Sequence, residues 1–309
     1  MIVTVTMNPA IDKTVDIGEM ERGGLNRIQN IVLDAGGKGI NVSKTVRELG
    51  GTTVATGFLG GSSGAVIEKV LKEYGIRTDF VQVQGETRTN MKVVEPNGIV
   101  TELNEQGPVV SSEQLGELIG KLEGYASEET LFVLAGSIPR GVGKDIYRVI
   151  TEKVHKKGAS VLLDADGELF VNSLAAGPDI IKPNRVELEE YYQIDYRATE
   201  EQLVELGGRL LEQGVGMVAV SMGQMGALFL GKEQKYKCRG LSVKAHSTVG
   251  AGDAMVAALA YGWDRKMGME DAAKLGMAVS AGAVTTTGTK PPSREVVDEL
   301  LKQVKLERL

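Results

Sequence analysis

Cysteine and histidine are nearly absent from this sequence: among 309 residues there is one cysteine, Cys238, and there are two histidines, His155 and His246. A single thiol forms no intrachain disulfide and no thiolate metal cluster. Two histidines speak against a His-built metal centre and against a Ser-His triad. Positive charge is also short. Lys and Arg total 35 against 41 Asp and Glu, a net charge of −6, which excludes the basic excess that non-specific nucleic-acid or membrane-surface binding relies on. The longest strongly apolar stretch, around Ala254–Trp263, falls far short of the ~20 residues of a membrane span. The opening Met1–Met7 is apolar but short, with no basic segment before it, so a cytoplasmic location is expected.

Two nucleotide-binding loops are missing as well. No G-x-G-x-x-G occurs, which weighs against a nicotinamide-dependent oxidoreductase. Gly226-Ala227-Leu228-Phe229-Leu230-Gly231-Lys232-Glu233 approaches a Walker A loop. Glu233 stands where that loop needs a hydroxyl, however, and Ala227–Leu230 reads as a strand.

What is present is ordinary globular material, 42% hydrophobic and 25% charged, enough to bury a full core in one large α/β domain. Apolar runs at Ile2–Thr6, Thr130–Ala135, Ser160–Asp164, Met217–Ser221 and Ala227–Leu230 alternate with amphipathic stretches at Val66–Tyr74, Gln114–Tyr125, Lys144–Lys157 and Glu200–Gln213. Strand, helix, strand at this spacing predicts a mainly parallel sheet covered by helices on both faces. After about Ala251 the pattern is almost wholly helical through to Glu307. Two segments break the alternation, residues 12–34 and 85–108, whose β-type pieces have no helix between them. They are expected to form a small second sheet, inserted into a single domain spanning 1–309 and able to cover its cleft.

The chemistry lies among the 40 glycines. Ser247-Thr248-Val249-Gly250-Ala251-Gly252-Asp253 leads into Ala254–Trp263, which is apolar all round, the mark of a helix buried on every side. Unpaired N–H groups at such a helix start, with its dipole, suit a phosphate or a developing phosphoryl charge. Glycines at 250 and 252 let the ligand approach the backbone. Asp253 could be a mere helix-start acid, but that leaves the glycines and the apolar helix unexplained. Phosphoryl transfer needs an anion cradle beside a carboxylate that takes the proton of the attacking hydroxyl. A second cluster, Asp34-Ala35-Gly36-Gly37-Lys38-Gly39-Ile40-Asn41-Val42-Ser43, also opens a helix. Its backbone donors, Lys38 and Asn41 could hold a polyhydroxylated anion, or form a tight turn with a solvated lysine.

These two stretches resemble the paired signatures of the ribokinase-like sugar kinases, phosphofructokinase B branch. The likeness runs over essentially the whole chain and includes Thr6-Met7-Asn8-Pro9-Ala10-Ile11-Asp12, Gly136-Ser137-Ile138-Pro139-Arg140-Gly141 and Lys182-Pro183-Asn184-Arg185-Val186-Glu187-Leu188. The resemblance implies a three-layer α/β/α core with a β-sheet lid, and transfer of the ATP γ-phosphate to a sugar hydroxyl. By it Asp253 is the base, and Gly250, Ala251 and Gly252 supply the anion hole. Asp12, Gly37, Lys38 and Asn41 hold the sugar, with Arg88, Asn90 and Arg140 beside them. ATP runs along Ser221-Met222-Gly223-Gln224-Met225-Gly226 and Thr248–Gly252, with Lys182, Asn184 and Glu187 near its phosphates. Glu187 supports Mg²⁺ through water, in keeping with the scarcity of protein ligands. A potassium ion is a further cofactor of the family, although Ser247 and Thr248 stand where the family often carries an aspartate.

A sugar phosphate needs basic partners that a free sugar does not. Lys38, Arg27, Arg88, Lys92 and Arg140 are the candidates; the loop surroundings favour Arg88 and Arg140, and leave Lys92 and Arg27 open. Gly85-Glu86-Thr87-Arg88-Thr89-Asn90-Met91-Lys92 and the opening motif are most similar to 1-phosphofructokinases, implying conversion of fructose 1-phosphate to the 1,6-bisphosphate. Tagatose 6-phosphate or fructose 6-phosphate is the alternative acceptor. A non-catalytic sugar-phosphate sensor and a nucleoside or vitamin kinase are the further readings. Lid strands pairing across a two-fold axis would give a homodimer.

Overall fold

A computed structural model describes all residues, Met1–Leu309. Its main sheet is parallel through seven strands in the spatial order Met217–Ser221, Ile180–Ile181, Ser160–Asp164, Leu131–Ala135, Ile2–Thr6, Thr53–Leu59 and Arg77–Thr78. Val81–Gln82 also pairs with Thr53–Leu59. The central strands Ile2–Thr6, Thr53–Leu59 and Leu131–Ala135 are buried at every position, because helices cover both faces. On one face pack Ser112–Tyr125, Ile146–His155, Gly167–Leu174 and Glu200–Glu212; on the other lie Lys38–Glu48, Ala251–Asp264, Met269–Ala283 and Arg294–Leu301.

Past Met217–Ser221 the sheet turns antiparallel through Ala227–Gly231, Lys235–Cys238 and Leu306–Arg308. That last strand corrects the expectation of an all-helical C-terminal part. The edge of Lys235–Cys238 has unpaired backbone groups, and the chain end supplies partners for them.

A separate sheet of four strands runs in the order Asn30–Gly36, Ala10–Asp16, Arg88–Val94, Val100–Asn104. Its middle pair is parallel and its outer pairs antiparallel. No regular element spans 18–29 between the first two strands.

Two helices position the chemistry. Lys38–Glu48 and Ala251–Asp264 pack against each other although their sequences are more than 200 residues apart. The second is rich in Ala and Gly, and Ala254 to Ala260 are all buried. A Cβ on Gly262 would stand 3.1 Å from Ala272 Cβ, so small residues are what allow this helix to sit close to its neighbour Met269–Ala283.

Candidate active site

The helix Ala251–Asp264 starts at Gly250, which is left-handed at φ 85° and offers no capping side chain. Glycine takes that conformation without the steric cost a Cβ brings. The first-turn N–H groups therefore keep their donors, apart from a long Ala251 contact to the Thr248 carbonyl at 3.5 Å. Asp253 lies in the same turn, 9% exposed. Asn41, from the first turn of Lys38–Glu48, donates its side-chain N–H to Asp253 Oδ2 at 2.8 Å. Burial and then the nearby Asp164 carboxylate push Asp253 up to about 6, against the opposing pull of Asn41, Lys38 and Lys182. A carboxylate tuned to this range accepts a proton near neutral pH and is still mostly ionised there.

Asp164 ends the strand Ser160–Asp164 and is buried. Its Oδ1 pairs with Lys182 at 3.3 Å and with Lys38 at 3.5 Å. Burial alone would raise the Asp164 carboxyl, but the two ammonium groups outweigh it and hold the carboxyl below the usual range. Lys38 in turn is raised: burial opposes its charge, and the carboxylates of Asp164 and Asp253 prevail. The result is a pair of lysines fixed near the first turn of Ala251–Asp264 and Asp253. A Cβ on Gly252 would stand 3.4 Å from Lys182 Nζ, so the space over this turn is closely bounded by that ammonium.

Asp253 opens into a cavity of about 340 Å³ roofed by the small sheet. Period-two alternation puts Arg88, Asn90 and Lys92 on one face of their strand. Asn90 lies opposite Asp12 and Asn104 in the neighbouring strands, and all of these line the cavity with Gly37, Lys38, Asn41 and Ser137. Asn90 donates to Asp12 Oδ1 at 3.2 Å. Burial raises the Asp12 carboxyl, with Asn90 and Lys92 opposing. Gly36 has its Cβ position occupied by the Asp12 carboxylate, and Gly37 sits at φ 115° against Thr6, so both glycines are required by close approach. Arg88 donates to the Asn8 carbonyl at 3.1 Å and the Glu105 carbonyl at 3.3 Å, with no carboxylate neutralising it; burial lowers its pKa and Asp12 opposes.

Four buried side-chain atoms in this protein lack any hydrogen-bond partner: Thr6 Oγ1, Asn8 Oδ1, Asn41 Oδ1 and Asn90 Oδ1. All four residues line this one cavity. Buried polar atoms are nearly always paired in folded proteins, so these four oxygens stand out as free acceptors converging on one space.

Two expected residues lie elsewhere. Arg140 is exposed, bonds the Gly107 carbonyl at 3.2 Å, and lines a neighbouring groove with Glu86, Glu105 and Pro108; the geometry does not bring it to Asp253. Gly226 is held by packing, since a Cβ there would overlap the Cys238 carbonyl. Ser221 and Gly223 share a groove with Asn184, and Asn184 bridges to Ser221. Asn184 and Glu187 form a reciprocal helix cap: Asn184 Oδ1 accepts the Glu187 N–H at 2.9 Å, and Glu187 Oε2 accepts the Asn184 N–H at 2.7 Å. The cap leaves the second Glu187 oxygen free. Burial raises this carboxyl, and Asn184 and Lys182 oppose the rise. The Ser247 hydroxyl accepts the Val249 N–H at 3.2 Å, so it serves the loop itself.

Asp164 and the cavity-lining Asp166 and Thr289 are absent from the site as read in the sequence, which has Thr6 and Asn8 only within the opening motif and gives them no role. Asp164 was the findable one, as an acid closing an apolar strand at the carboxyl edge of a parallel sheet.

The sequence pattern of the pfkB family carbohydrate kinases matches residues 5–295. The chain belongs to this family. Curated relatives include the 1-phosphofructokinase of Bacillus subtilis, 37% identical over 309 residues and covering 100% of both chains. Another is the 1-phosphofructokinase of Borreliella burgdorferi, 35% identical over 99% of this chain and 98% of its own. Phosphofructokinase-2 of Escherichia coli, solved in complex with potassium, superimposes with a TM-score of 0.92 at 26% identity over 98% of each chain; it has also been solved in a tetrameric inhibited form. PfkB carbohydrate kinases use ATP and Mg²⁺, and no helix of this chain is long and apolar enough to cross a membrane.

Proposed function

We propose that this pfkB kinase, working in the cytoplasm, transfers the γ-phosphate of ATP to fructose 1-phosphate, giving fructose 1,6-bisphosphate. The observation that carries the reading is the shared cavity: an ionisable carboxylate, four unpartnered polar atoms and the cations Arg88 and Lys92 line one space. The polar atoms suit the sugar hydroxyls, and the cations suit a phosphate already on the substrate. Its similarity to curated 1-phosphofructokinases over full length favours fructose 1-phosphate among ketohexose phosphates.

In this reading Asp253 takes the proton of the attacking hydroxyl. Asn41 holds one carboxylate oxygen and leaves the other for that proton. The N–H groups of Gly250, Ala251 and Gly252 face the charge that develops on the transferred phosphoryl group. Lys182 and Lys38, held by Asp164, add positive charge beside it. ATP lies along Ser221, Gly223 and Thr248, near Asn184. The free oxygen of Glu187 would hold Mg²⁺ through water, together with the phosphates. Mg²⁺ neutralises charge on the phosphates when bound. Asp12 and Asn90 orient the sugar, and Gly37 lets it approach the backbone.

The small sheet has apolar residues on open strands, with Leu33 62% and Leu103 54% exposed. We include a homodimer through this sheet in the proposal. Sedimentation of the wild type as a dimer, and of Leu33→Asp as a monomer, supports it; a monomeric wild type removes it.

Initial rates of ADP formation with MgATP and fructose 1-phosphate, tagatose 6-phosphate or fructose 6-phosphate test the substrate. A kcat/KM preference for fructose 1-phosphate supports the reading. Preference for a 6-phosphate moves the substrate and leaves the site intact.

A further inference from the structure

A groove of about 630 Å³ opens beside Asn184, Ser221 and Gly223, separate from the sugar cavity. Two guanidinium groups on its wall have no part in the reaction above. Arg185 is 9% exposed, yet the acceptors it meets are thioether sulfurs: Nη2 lies 3.4 Å from Met222 Sδ and 3.7 Å from Met225 Sδ. Arg197 donates likewise to Met225 Sδ at 3.4 Å. Neither arginine joins an ion pair. The two acids nearby do not answer them, since Glu189 Oε1 accepts the Ala198 N–H at 2.7 Å and Asp195 is exposed to water.

A guanidinium carries five N–H donors, and thioether sulfur is a weak acceptor. A buried cation so poorly matched is costly in a finished core and useful in a binding groove, where an anion completes it. The planar fork of arginine fits phosphate oxygens two at a time. We propose that Arg185 and Arg197 bind a phosphate group in this groove. The phosphate belongs either to the nucleotide itself or to a separate phosphorylated small molecule. Its position next to the nucleotide path rests on the reading above, whereas the groove and its guanidiniums do not.

The test is calorimetric titration of inorganic phosphate into the full-length chain carrying Arg88→Met, which removes one of the cations the sugar cavity offers to a substrate phosphate. Saturable binding is expected, weakened about tenfold or more when Arg185→Met is added, as the loss of a charge-assisted contact implies. Methionine matches the methionines already in the groove. Should that variant fail to fold, Arg197→Gln, at an exposed position, decides in its place. No saturable binding in the Arg88→Met chain, or binding unchanged by the deciding variant, overturns the proposal. Repeating the titration with a saturating non-hydrolysable MgATP analogue identifies the source. Phosphate displaced by the analogue assigns the subsite to the nucleotide's own phosphates, and phosphate retained assigns it to a separate ligand. A failed kinase reading shows itself differently, as absent turnover of every sugar phosphate with this binding intact.

Discussion

Asn41 and Asp253, 212 positions apart, meet at 2.8 Å through a single hydrogen bond between the first turns of two packed helices. The bond joins the two glycine-rich signatures and opposes the rise that burial and Asp164 impose on the carboxylate. It favours the ionised form, so losing it raises the pKa of Asp253 further. Asn41→Ala is expected to shift the acid limb of the kcat/KM profile to higher pH. It should also lower kcat by about 10–100-fold, the range of a misplaced general base. An unshifted limb would show that Asn41 does not act on Asp253.

Stability carries the same signature. Asp253 is near 6 in the folded chain against an ordinary 3.8, so the folded state binds its proton more tightly than the unfolded state does. The protonated carboxyl costs nothing below pH 3.8, and its ionisation destabilises the fold as pH rises through about 6, by on the order of 2–3 kcal/mol in full. Asp253→Asn should therefore gain stability over the wild type between pH 4 and pH 8. Urea unfolding of both proteins at the two pH values measures this difference, and an equal gap at both contradicts the buried, raised carboxyl.

Gly252 and Gly250 separate chemistry from folding. Gly250 alone of the two needs a left-handed backbone, so Gly250→Ala is expected to cost about 1–2 kcal/mol of stability as well as activity. Gly252→Ala brings a methyl to 3.4 Å from Lys182 Nζ. The backbone N–H remains, but the methyl crowds the approach of a phosphoryl group to it, so kcat should fall by up to roughly 10²-fold, the scale of an oxyanion-hole contact, with the unfolding midpoint close to wild type.

Arg88 and Arg140 looked equivalent in sequence and are not so in space. Arg88→Met is expected to raise KM for the sugar phosphate by about 10–100-fold, the loss of a charge-assisted pair, with KM for ATP little changed. Arg140→Ala, outside the cavity, should change either constant by less than about threefold, within the range of a surface substitution. Steady-state kinetics on the two variants decides it.

The parallel strands and the glycine loops were legible because burial and phosphate binding leave local marks: unbroken apolar runs, and glycines ahead of an apolar helix. The terminal strand Leu306–Arg308 was not, because three residues carry no period and its partner edge is set by tertiary pairing. Asp164 hid for a similar reason. Its meaning comes from Lys38 and Lys182, which reach it from distant parts of the chain. Arg140 misled because its loop motif gives the position of its backbone and not the reach of its side chain. Asp12 and Asn90 were readable singly, but their contact follows from a parallel pairing between Ala10–Asp16 and Arg88–Val94 that no local pattern announces.

Asp253 is the residue on which phosphoryl transfer to a sugar phosphate turns in the function proposed above. Wild type and Asp253→Asn should be incubated with MgATP and fructose 1-phosphate, and formation of ADP and fructose 1,6-bisphosphate followed by ³¹P NMR. The wild type is expected to form both stoichiometrically. The variant should be slower by about 10²–10⁴-fold, the usual worth of a general base. Equal rates in the two proteins, or ADP released without a bisphosphate, would contradict the proposed function.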